Sequence, residues 1–233
     1  MGTREVIESF VQSPPHSLGW TAYAFACLMA LGANALCERF LVELGLSWGA
    51  ISRQARWLRV VRWVGVVLGC VAVVWLAEPA VWLGRVVGVA MFSVSAGCDL
   101  ESHHVPPDWF TLGGTVAMVG VWGVVGGWEG AAGALLAQAL CYGVMTFGIA
   151  AFKFAAGGDV KLMMQYGAVV GSVSGVGLAF VVEWVVRVVW LAGWVLREVA
   201  EGRVDDVLRG ARELRAPHGP FAWLGVMGWI AIF

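Results

Sequence analysis

The sequence predicts an all-α, polytopic integral membrane helix bundle of about seven to eight membrane segments. Three observations carry that prediction. The 233 residues are 60% hydrophobic and only 13% charged, whereas soluble globular domains are roughly 45–50% apolar and about 25% charged. The apolar residues fall into long runs, most of them near the ~20 residues that cross a ~30 Å hydrocarbon core. Short polar stretches separate the runs and carry most of the charge. A net charge of −1 leaves no electrostatic footprint for nucleic acid, so the lipid bilayer is the partner that composition points to.

In chain order, residues 1–17 are polar, carry Pro14-Pro15, and show no cationic region followed by a cleavable apolar core, which reads as a short tail. The first span is 18–37. Residues 39–62 follow, with Arg39, Arg53, Arg56, Arg59 and Arg62 set against Glu38 and Glu43. Residues 63–77 form the second span, Glu78-Pro79 a tight turn, and 80–98 the third span, with Arg85 placed near enough to its start to snorkel. A polar loop at 99–108 leads to a fourth span at 109–127. Trp128-Glu129 turns the chain into a fifth span at 130–152.

A second polar loop, 153–161, is bracketed by the only lysines, Lys153 and Lys161. Residues 162–174 are apolar but too short to cross straight, which suits a short or half-buried helix. Residues 176–196 can span, and contain Glu183 and Arg187 four apart on one helix face in the favourable acid-first order. That pair reads as self-neutralising and turned toward the bundle. In 197–215, Val204, Val207, Leu208, Ala211 and Leu214 recur at helical spacing among charges, the pattern of an amphipathic helix at the membrane surface. Ala216-Pro217-His218-Gly219-Pro220 breaks it, and 221–233 is a last, short apolar run.

Orientation follows from the basic loops. With 38–62 in the cytoplasm, the turn at 78–79 falls outside, 99–108 inside, 128–129 outside and 153–161 inside. If 162–174 and 176–196 run as a pair, 197–215 also falls inside. This puts Asp99 and Asp159, each at the end of an apolar run, at one membrane face. Two adjacent carboxylates can share a proton, because like charges a few ångströms apart cannot both ionise. Such a pair can take a proton from water and polarise a carbonyl, which is what peptide hydrolysis needs. Gly157 and Gly158 before Asp159 would let a substrate backbone come close. Each acid alone fits an ordinary helix-end carboxylate equally well.

The remaining polar residues suggest little chemistry. Cys27, Cys37, Cys70, Cys98 and Cys141 lie in apolar runs with no Cys-x-x-Cys pair, which fits small buried hydrophobes rather than a zinc site. His103 and His104 are adjacent and lack evident further ligands, so no metal is expected. Lys161 fits a lipid-headgroup contact, and Glu101 and Asp108 fit solvated loop charges.

Asp99-Leu-Glu-Ser-His-His-Val105-Pro106 resembles the first motif of the type IV prepilin peptidase family, an aspartate followed by an aliphatic residue and proline six and seven positions on. Ala156-Gly157-Gly158-Asp159-Val160-Lys161-Leu162 resembles its second, Gly-x-Gly-Asp followed by Val-Lys. Pro217-His218-Gly219-Pro220 resembles the Pro-Tyr-Gly-Pro segment of the short, tight-adherence (Flp) pilus members. The likeness covers about 80–233, which makes 1–79 a tail with two additional spans and 80–233 the peptidase-like membrane domain.

The resemblance implies a multi-pass aspartic endopeptidase of the bacterial inner membrane that cuts the leader from prepilins or pseudopilins on the cytoplasmic side. Asp99 and Asp159 would be catalytic, Gly157, Gly158, Lys161 and Pro106 would shape the loops or meet substrate, and no metal or organic cofactor would be needed. The cysteine-rich loop of the methylating members is missing, so N-methylation is not expected. Three positions depart from the pattern: Ala156 replaces the first motif glycine, Glu101, His103 and His104 replace the usual basic residues, and Pro107 replaces an asparagine. Two rival classes are a non-catalytic pilus or secretion scaffold of the same fold, and a small transporter using Asp99, Asp159 and Glu183 as a relay. The Tyr-Asp and Pro-Ala-Leu signals of presenilin-like proteases are absent.

Overall fold

Backbone N–H and C=O groups in hydrocarbon find no water, so each spanning segment must satisfy them internally. Accordingly, every element among the described residues of the computed structural model is a helix. The described residues are 19–46, 53–76, 78, 80–152, 157–202 and 218–232. The predicted tail, Lys153 to Ala156 and most of the amphipathic segment, 203–217, lie outside them.

Among the described residues seven helices follow one another: α1 Gly19–Glu43, α2 Arg53–Leu76, α3 Trp82–Ser102, α4 Asp108–Phe152, α5 Gly157–Val170, α6 Val173–Ala200 and α7 His218–Ile232. Five of them, α1, α2, α3, α4 and α6, are long and apolar enough to cross a membrane. With 14 and 15 residues, α5 and α7 reach only about 21–23 Å, short of a ~30 Å core.

The 45-residue α4 is not one rod. Gly127 sits at φ 62°, ψ −155°, outside the helical region. Across it, a Cβ on Gly123 would lie 3.5 Å from that of Ala131, although residues eight apart in a straight helix are about 12 Å apart along the axis. The chain therefore folds back on itself at Gly127, just before the Trp128-Glu129 turn expected from sequence. Those dihedrals are open essentially only to glycine. Gly127→Ala is expected to cost on the order of 1–3 kcal/mol, read as a lower unfolding midpoint in detergent with the fold otherwise retained.

At the centre stands α3, which packs against α1, α2, α4, α5 and α7. Its Gly84, Gly88, Ser93, Ser95, Ala96 and Gly97 are small, and small residues let neighbouring backbones approach where no hydrophobic force drives helices together in lipid. Trp122 on α4 donates through its indole N–H to the Ala168 carbonyl of α5 at 2.9 Å, tying these two helices together. By contrast, α6 presents Val181, Trp184, Val185, Val188 and Val189 outward, an apolar face suited to lipid.

Several boundaries differ from the sequence reading. The basic stretch 39–62 is mostly helix, since α1 runs on to Glu43 and α2 starts at Arg53. Within it, Arg59 and Arg62 are buried rather than free loop charges. Arg85 does not snorkel to an interface: it is buried, with its guanidinium carbon 4.8 Å from the ring centre of Trp229 on α7. The short segment expected at 162–174 begins earlier, at Gly157, because Gly-Gly-Asp already belongs to the first turn of α5. Four of the five cysteines are buried and all are unpaired, with the sulfurs of Cys37 and Cys98 3.7 Å apart.

Candidate functional site

Asp99 occupies the last turn of α3, and that turn is closed by local bonds. The backbone N–H of His103 donates to the Asp99 carbonyl at 2.9 Å, with His103 in the left-handed region at φ 55°. Histidine is among the few non-glycine types that take this conformation readily, so it serves as a C-cap here. The chain then crosses Val105, buried Pro106 and Pro107 to α4.

The N-terminus of α7 meets the same place from the other side. The backbone N–H of Gly219 donates to Asp99 Oδ2 at 2.6 Å, and the amide of His218 also faces this carboxylate. Asp99 is thus a buried acid, 7% exposed, seated on the positive end of a helix. The approach requires glycine: a Cβ on residue 219 would stand 2.7 Å from the Cα of Ala96.

Asp159 lies half-buried in the first turn of α5, where a carboxylate is favoured by the exposed N–H groups. The loop after Asp99 brings α5 to the site. Val105 would contact a Cβ on Gly158 at 3.5 Å, an ordinary separation, so packing alone does not demand glycine there. Lys161 pairs with Asp108 at the start of α4, rather than standing free for lipid headgroups. Asp159 lies within electrostatic reach of Asp99. Asp99, Asp159, Gly157, Gly158, Lys161 and Pro106 therefore gather at one end of the bundle, around the ends of α3, α5 and α7. Ala156 lies outside the described residues.

Two groups of residues around this site are not evident from sequence spacing. The first is a buried ion network. Arg59 Nε and Arg62 Nε each donate to one oxygen of Glu101 at 2.7 Å, and both guanidiniums pair with Glu38. Arg62 also donates to Asn34 Oδ1, and Arg59 to the Leu46 carbonyl, both at 2.6 Å. Glu101, expected as a solvated loop charge, has only 4% of its side chain exposed. Two residues beyond Asp99, it locks the end of α3 to α1 and α2. The second group centres on His218. Arg187 donates to Glu183 Oε1 through Nε and Nη2 at 3.0 and 2.8 Å, and through Nη2 to His218 Nδ1 at 2.6 Å. Spacing gives the Glu183–Arg187 pair, and the Pro-His-Gly-Pro segment singles out His218, but neither signal joins the two.

Chemically, the arrangement offers two neighbouring carboxylates at helix ends, one buried and one half-buried. Next to the Asp99 turn of α3, Val61, Arg62, Gly65, Ala96, Gly97, Leu100, Pro220 and Leu224 line part of an apolar cavity of about 200 Å³ between α2, α3 and α7. Comparison with protein-family models, with curated proteins and with solved structures finds no match to this chain.

Proposed function

We propose that this chain is a membrane aspartic endopeptidase that removes the leader of type IV, Flp-like prepilins or pseudopilins at the cytoplasmic face of a bacterial inner membrane. The observation that carries the reading is that Asp99 and Asp159, from helices far apart in sequence, lie at one end of the bundle within electrostatic reach of each other. In this mechanism the two carboxylates hold one proton between them. The ionised member takes a proton from an attacking water, and the protonated member hydrogen-bonds the scissile carbonyl as negative charge develops on its oxygen. The pair acts as a unit, and neither residue is acid or base permanently.

The N-terminus of α7 holds the Asp99 carboxylate in place through the Gly219 amide, and Asp159 is set in the first turn of α5. The apolar cavity flanked by Ala96, Gly97 and Leu100 suits a hydrophobic segment laid beside the dyad. Both arms of α4 count as membrane segments, with α5 and α7 as short ones that end at the site. The bundle then presents its acid-bearing end on the side of Arg39, Arg53, Arg56 and Lys161, the cytoplasmic side by the distribution of basic residues.

The test is co-expression with candidate prepilins and pilin mobility on a gel. The expected result is a shortened pilin that appears with this chain and disappears when either aspartate is changed. A chain that inserts normally and shortens no candidate would favour a scaffold of the same fold.

A further inference from the structure

The Glu183–Arg187 pair has a third member that simple charge neutralisation does not require. Arg187 is confined on three sides: Glu183 holds it through two hydrogen bonds, His218 Nδ1 accepts from it at 2.6 Å, and the ring of Phe221 lies 4.9 Å from its guanidinium carbon. Phe221 in turn packs edge-on against Trp190 at 5.5 Å. An arginine only donates, so His218 Nδ1 must accept and its ring proton sits on Nε2, 3.4 Å from Glu183 Oε1. Glu183 is 2% exposed. From α6, then, one fork grips α7 at two points, the ring of His218 and the ring of Phe221. Between those points lies Gly219, whose amide bonds Asp99.

Resting on the peptidase reading, we propose that Glu183, Arg187 and the His218 ring form a clamp that positions the first turn of α7 against Asp99. They are positioning residues: none of them is placed at the scissile bond. The body of α7 is seated on α6 at Gly225 and Gly228 and bonded to α3 through Trp223 and Ser93, so the clamp acts on the first turn, where a displacement of about 1 Å would break a 2.6 Å bond to a carboxylate. The fork geometry explains why arginine is used, since a lysine could not hold Glu183, His218 and an aromatic face together.

The test uses the full chain in lipid nanodiscs, with two readouts: exchange protection of the Gly219 amide, and kcat and KM for leader cleavage. Arg187→Ala and His218→Ala are each expected to speed Gly219 exchange and lower kcat by about tenfold, with KM unchanged. The double variant should be no worse than either single one, because both remove the same link. His218→Asn, whose carbonyl can accept in place of Nδ1, should recover most of both. If the alanine variants fail to accumulate, Arg187→Lys carries the same test, keeping charge beside Glu183 but losing the fork. Unchanged Gly219 protection in the Arg187 variants, or additive losses in the double variant, would overturn the clamp. Exchange is read without substrate, so a wild-type chain that cleaves nothing sinks the peptidase reading alone and leaves the clamp to be decided by the amide.

Discussion

Asp99→Asn and Asp159→Asn are each expected to lower leader cleavage by about 10²–10⁴-fold, the usual contribution of a positioned proton-transfer group, while the protein stays in the membrane at wild-type level. The two halves of that expectation have separate causes. Asparagine keeps the shape of aspartate and an acceptor oxygen, so residue 99 can still receive the Gly219 N–H that aspartate accepts at 2.6 Å. At 159, asparagine remains a good residue for the start of α5. What neither amide can do is take a proton from the attacking water or share one with the opposite carboxylate. Quantifying processed against unprocessed pilin, with membrane abundance as control, separates activity from folding. More than a tenth of wild-type turnover in either variant would exclude the shared-proton mechanism.

Glu101→Ala should be strongly destabilising, at about 3–5 kcal/mol, because removing one carboxylate from a buried ion network leaves two buried guanidiniums sharing the single charge of Glu38. Both Arg59 and Arg62 would lose a 2.7 Å bond at once, and their side chains are 0% and 2% exposed. The effect would be seen as loss of protein from the membrane, or as a large fall in the unfolding midpoint in detergent. Arg39→Ala provides the contrast. Its partner Glu43 lies one turn along the same helix, and the pair is 72% and 51% exposed, so the change should cost about 0–1 kcal/mol. Similar losses in the two variants would mean that the buried network is not what fastens α1 and α2 to the end of α3.

These expectations depend differently on sequence and on structure. That the chain is helical and carries membrane-length apolar segments was legible from composition and run length, because hydrocarbon admits few other backbone states. The placement of Asp99 and Asp159 at the ends of apolar runs was legible too, as was the reversal near residues 127–129, where small residues and a charge interrupt the run. The Glu183–Arg187 bond was readable because a separation of four is a local property of one helix.

Other features depended on pairings across the chain. Glu101 stands in a polar stretch and looks solvated until Arg59, 42 residues earlier in the chain, is placed on it. Arg85 looks interfacial until Trp229 covers it. His218 and Gly219 reach Asp99 across 120 residues of sequence for the amide bond that Gly219 makes. The physical reason is common to all three. A helix in lipid is apolar on every side, so its sequence alone sets only that it inserts. Which face turns inward, and which charge meets which, is decided when the helices pack.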